Sequence, residues 1–141
     1  IHPETDTVSF QVNFRDGGSA YDALKTTNYA RAYHSEADTT SFGKKSDQDV
    51  GNGTGVQPLA YQMENDADAS LCGYLNLWAP SSTTFVKNFY ARITYMHTSD
   101  EVHDSLIGGT LNVTAAIDGV QFTMSSDSIE AGQISLYGIT W

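Results

Sequence analysis

One cysteine, Cys72, and three prolines are all that 141 residues hold of the residue types that staple or stiffen a chain. A lone thiol excludes an intrachain disulfide and any cysteine-based metal cage. With Leu71, Tyr74 and Leu75 around it, Cys72 reads as a small buried hydrophobe rather than a reactive thiol. Positive charge is equally scarce. Seven Lys and Arg face seventeen Asp and Glu, a net charge of −10, which argues against nucleic-acid phosphate or an anionic membrane surface as partner. An acidic surface suits solubility, repulsion between crowded copies, or divalent cations. No stretch reaches the ~20 apolar residues of a membrane span, and no basic segment followed by an apolar run reads as a signal peptide. The chain opens on Ile1 rather than Met, and residues 5–14 already read as an interior strand, so an upstream segment is expected.

What is present points to an ordered domain. Hydrophobic residues make up 40% of the chain, with eight Tyr, six Phe and two Trp, and only 17% is charged. This length is one domain, and it buries roughly two-thirds of the surface its unfolded form exposes.

The apolar periodicity is two residues almost throughout. Val8, Phe10, Val12 and Phe14 alternate with Ser9, Gln11 and Asn13, a half-buried strand that Asp16, Gly17 and Gly18 end with turn chemistry. Residues 28–34 form a second strand with Tyr29, Arg31 and Tyr33 on one face. Residues 20–25 give the only faint helical turn. The polar, Gly-rich stretch 35–55 reads as a long mobile loop. Residues 56–63 form a strand that Pro58 places at a sheet edge. Residues 71–78, almost continuously apolar, read as a central strand buried on both faces. Phe89, Ala91, Ile93 and Tyr95 alternate with Tyr90, Arg92, Thr94 and Met96. Residues 97–104 read as a charged loop facing solvent, and 106–113 as a strand that Gly108 and Gly109 interrupt with a bulge. Residues 117–126 and 128–139 alternate around a Ser-rich connector and read as a closing β-hairpin. Seven or eight short strands without a helical period imply an all-β fold, an antiparallel β-sandwich or jelly roll spanning 1–141 as a single domain, the C-terminal part of a longer chain.

Chemistry-bearing motifs are sparse. The chain has no Gly-x-Ser-x-Gly elbow, no phosphate-binding glycine loop and no His-Glu-x-x-His. His97 and His103 flank Asp100 and Glu101, donors a zinc ion takes, yet the spacing matches no established site and a solvated loop is the plainer reading. Asp47 with Asp49, and Asp66 with Asp68, place acids two apart as calcium loops do, without the twelve-residue spacing and closing Glu of an EF-hand. Asn52-Gly53-Thr54 and Asn112-Val113-Thr114 fit the glycosylation sequon, relevant only in a eukaryotic secretory path. Tyr21, Tyr29, Tyr33, Tyr74, Trp78, Tyr90 and Tyr95 are numerous for a sandwich. Core or interface packing accounts for them first and a sugar platform second, with Tyr74, Trp78, Tyr29 and Tyr33 as the candidates. Trp141 reads as an anchor on a neighbouring subunit. No catalytic, cofactor-binding or metal residue is assigned.

One set of words is more specific than the pattern. Phe122-Thr123-Met124-Ser125-Ser126, followed by Ile129-Glu130-Ala131-Gly132-Gln133-Ile134-Ser135-Leu136-Tyr137-Gly138-Ile139, resembles the closing hairpin of a family of tailed-phage and prophage virion proteins. Pro3-Glu4-Thr5-Asp6 leading to Asp16-Gly17-Gly18-Ser19 is similar to that family's opening. Gly73-Tyr74-Leu75-Asn76-Leu77-Trp78-Ala79-Pro80 is similar to its middle strand. Asp127 and Ser128 stand where the family's turn has Gly and Asn, and the family's strand before the Pro-x-Thr-Asp turn is missing here. The resemblance implies a non-enzymatic virion structural protein, on the exterior of the particle as a tail fibre, tail appendage or capsid decoration. It would assemble with its own copies as a homotrimer and with other virion proteins. The alternative is a module that binds a host-surface glycan or receptor.

Overall fold

The computed structural model describes residues 1–139; Trp141, and with it the anchor expected there, lies outside them. The fold is all-β, 52% strand, built from an eight-stranded and a two-stranded antiparallel sheet. In chain order the strands are β1 (His2–Pro3), β2 (Val8–Arg15), β3 (Lys25–Ser35), β4 (Thr40–Lys44), β5 (Gln57–Met63), β6 (Leu71–Leu77), β7 (Lys87–His97), β8 (Glu101–Leu111), β9 (Gly119–Met124) and β10 (Ile129–Ala131). A single 3₁₀ turn, Ser46–Gln48, is the only helical element among the described residues. Residues 20–25 form no helix: Lys25 already opens β3.

The large sheet runs β4-β3-β8-β7-β5-β2-β9, with β6 also paired to β7. One edge of β7 is filled by β8. The other is shared, since β6 takes Phe89 to Tyr95 and β5 takes only His97, opposite Met63. That lone bridge is a corner. It lets β5, β2 and β9 fold back over the five strands β6-β7-β8-β3-β4, so the sheet packs on itself as a sandwich. Phe14 of β2 meets Phe89 of β7 across the core with ring centroids 5.1 Å apart.

Register shows why the pattern works. Inward rows cross β3, β8, β7 and β6 as Tyr29–Ile107–Ala91–Leu75, Thr27–Gly109–Phe89–Leu77 and Tyr33–His103–Tyr95–Leu71. Phe89, Ala91, Ile93 and Tyr95 are buried, as their alternation predicts, and so are Val8, Phe10, Val12 and Phe14. Burying one such aromatic contributes about 1.5–3 kcal/mol. The glycine pair does not bulge. β8 keeps register through Gly108 and Gly109, and Gly109 is needed because a Cβ there would sit 2.4 Å from the Phe89 ring.

Other expectations are corrected. Residues 35–55 are no uniform loop: they hold β4, an edge strand, and the 3₁₀ turn. β6 lies at an edge, with Cys72, Gly73 and Tyr74 exposed. A continuous apolar run is read as doubly buried, but here Cys72 and Tyr74 stand on the outward face, which no layer of the described chain covers. Residues 97–104 are not a solvated loop. They span the end of β7, the turn 98–100 with the left-handed backbone of Asp100 (φ 55°), and the start of β8, where His103 is wholly buried. The closing hairpin does not form either. β9 pairs with β2, β10 pairs with β1, and residues 132–139 form no strand pairing among the described residues.

Two lysines brace the far end of the core. Lys25 and Lys87, both fully buried, flank Leu111 from its two sides in the sheet. The Lys25 Nζ donates to the Gly55 carbonyl at 2.7 Å, and the Lys87 Nζ to that of Thr114 at 2.8 Å and to that of Ala115. Each ammonium thereby satisfies carbonyls of an irregular segment that no strand pairs. Burial pushes Lys25 down to about 8.

Candidate functional site

The densest polar grouping lies at the corner between the two layers. The β7–β8 hairpin brings His97, Glu101 and His103 together, with ligand atoms within 4.8 Å of one another. Hairpin pairing sets His97 directly opposite Glu101, and His103 lies two residues further along β8 on the same inward face. The His97 and His103 rings stack at 4.3 Å. His103 Nε2 lies 2.7 Å from Glu101 Oε2, its Nδ1 3.1 Å from the Tyr95 hydroxyl, and that hydroxyl donates to the Tyr61 carbonyl at 3.0 Å. The Tyr61 amide donates back to the same hydroxyl at 3.0 Å. His97 Nε2 faces Gln62 Oε1 at 3.3 Å, and its Nδ1 accepts from the Ser99 amide. Further along the core, the Tyr29 and Ser105 hydroxyls share a hydrogen bond.

Burial dominates the electrostatics. It pushes His103 down to about 4 and lowers His97, against the opposing pull of Glu101. Tyr29 and Tyr95 are raised, again chiefly by burial. Burial therefore disfavours the charged form of both imidazoles. Two histidines and a carboxylate are a donor set zinc accepts, but every ring nitrogen here already has a protein partner. A cation would have to displace those bonds. As it stands the cluster is a hydrogen-bonded network that ties β5 to the hairpin across the corner.

The Asp47 and Asp49 carboxylates are likewise engaged. Asp49 accepts from the Tyr29 amide at 2.6 Å and pairs with Lys44 at 2.8 Å, while Asp47 faces Lys45. Asp66 contributes its backbone carbonyl to His2. The two sequon asparagines bond each other, Asn112 Nδ2 to Asn52 Oδ1 at 2.9 Å, holding residues 49–55 against the end of β8.

The sugar-platform candidates separate. Tyr29 is wholly buried in the core, which removes it. Tyr33 is half-buried on the same inward face, beside His103. Tyr74 and Trp78 are exposed. Tyr74 lies 6.2 Å from Tyr90, centroid to centroid, on the outward face of β6 and β7. Outward rows there run Lys44–Ala30–Leu106–Arg92–Tyr74 and Phe42–Ala32–Asp104–Thr94–Cys72. Arg92 and Asp104 pair at 2.7 Å in the middle of this face. Cross-strand register, which pairs Tyr90 with Asn76 and Tyr74 with Arg92, is what brings Tyr90 beside Tyr74.

No protein-family model, curated protein or solved structure matches this chain.

Proposed function

We propose that this domain is a non-enzymatic structural module that assembles with copies of itself, as an exterior component of a phage particle. The observation that carries the assembly part is where the large apolar side chains lie. Phe42 is 70% exposed at the β4 edge, with Val102 and Tyr74 on the same outward sheet face. Ile134, Leu136, Tyr137 and Ile139 are exposed along the closing segment. Large apolar side chains left exposed on a sheet face and along an unpaired segment suit a protein interface. The virion location rests on the resemblance in the opening, middle-strand and closing words of the sequence. Two experiments test the reading: light scattering of the purified domain, and electron microscopy of intact particles labelled with serum against it. A monomer at all concentrations, or particles that carry no label, would overturn it.

A second reading, glycan binding, is favoured by the exposed Tyr74 with the half-buried Tyr90 beside it, next to Arg92 and Asn76. Rings with a polar handle stack on sugars. Binding to host-surface polysaccharide that disappears in Tyr74→Ala would support it.

A further inference from the structure

Residues 133–139 carry strand periodicity without a strand partner. Ile134 and Leu136 alternate with Gln133, Ser135 and Tyr137, the segment holds no charged residue, and its backbone makes no hydrogen bond to the rest of the described chain. Leu136 is 95% exposed and Ile139 77%. An apolar, uncharged extended segment is what strand addition to an open sheet edge uses.

An open edge exists. β9 ends the large sheet: β2 fills one side, and no described strand pairs the other. Its core-facing residues are Val120, Phe122 and Met124, set by register opposite Phe14, Val12 and Phe10. Met124 is buried, whereas Val120 is 36% exposed and Phe122 only half-buried. The core is left uncovered at this rim, and the layer β5-β2-β9 has fewer strands than the layer it covers.

The same copy's segment is badly placed to close the gap. In a hairpin through Asp127, residues 129–131 would lie beside Phe122 to Met124, but they are held on β1, with Ile129 opposite Pro3 and Ala131 opposite His2. Leu136 and Ile139 would then run past Gly119, where β9 begins. A second copy has no such constraint. An exchange between unlike surfaces is a head-to-tail contact, and it closes when the copies form a ring.

We propose that residues 133–139 of one copy add as a further strand to the free edge of β9 in a second copy, setting Ile134 and Leu136 over Val120 and Phe122. This rests on the reading that the domain assembles with itself and names the contact that does it. Against an acidic chain of net charge −10, an uncharged strand is the segment able to approach another copy without repulsion.

Full-length protein, Leu136→Asp and Ile134→Asp are compared by light scattering, with thermal melts confirming the fold. The expected result is an oligomer for the parent and monomer mass for both variants. Both side chains are solvent-facing in the single copy, so neither change should unfold it. An unchanged oligomer in both variants overturns the strand exchange while leaving self-assembly standing. A monomeric parent overturns self-assembly itself. A second measurement reads the register directly. In a Cys72→Ser background, Ser135→Cys copies are mixed with Gln121→Cys copies under oxidation. A disulfide-linked dimer containing one of each supports the exchange, and only like-with-like or no crosslinks overturn it.

Discussion

Strand β7 and the closing segment 132–139 carry the same two-residue alternation and meet opposite fates. In β7, Phe89, Ala91, Ile93 and Tyr95 are buried, because β8 pairs one edge, β6 and β5 pair the other, and β2 covers the face. In the closing segment, Ile134 and Leu136 have the same spacing but stand in solvent. Alternation thus reports which side chains share a face. Whether that face is buried depends on a free edge and a covering layer, which are properties of the rest of the chain.

The sharpest way to break the comparison is to empty the packed side. Phe14→Ala should destabilise by about 3–5 kcal/mol, since it leaves a cavity against Phe89; urea denaturation checks this, and a loss below about 1 kcal/mol would mean the layers do not meet there. Overfilling the same place comes next. Gly109→Ala drives a methyl into the Phe89 and Thr27 side chains and should cost about 1–3 kcal/mol, whereas Gly138→Ala, with open space around it, should leave the melting temperature unmoved.

The corner network supplies a pH test. His103 has its folded pKa depressed to about 4 from 6.5, so below pH 6.5 the unfolded chain takes up a proton that the folded chain refuses. Stability is then complete above about pH 6.5 and falls as the pH drops towards 4, by up to about 3 kcal/mol. His97, lowered by the same cause, adds in the same direction. Denaturant midpoints from pH 7.5 to 4.5 should show the decline, and His103→Gln should flatten it. A slope identical in that variant would assign the titration to other groups. The smallest effect is expected outside the core. Arg92→Ala breaks an exposed ion pair with Asp104 and should move the denaturation midpoint least of these changes, and less still in high salt.

Legibility in the sequence tracked how local the cause was. The inward faces of β2 and β7 were readable because backbone pleat alone sorts their residues. His103 was misplaced because Asp100, Glu101 and Asp104 around it suggest solvent, while Glu101 in fact turns its carboxylate to the imidazole at 2.7 Å. Cys72 has apolar neighbours in sequence, yet its register opposite Thr94 sets it on the outward, uncovered sheet face. The Lys25 and Lys87 braces carry no local signal, since each meets carbonyls 27 to 30 residues away along the chain.

By itself the sequence determined an all-β chain, the inward faces of its regular strands and the acidic surface, all consequences of side-chain alternation and composition. The pairing of β9 with β2 and of β10 with β1, and the meeting of two histidines in a buried corner, come from long-range contacts. The tertiary structure also leaves one alternating segment without an edge. Pairing is a competition among all available strand edges, and its outcome depends on contacts more than a hundred residues apart, such as Pro3 with Ile129, which no local pattern encodes.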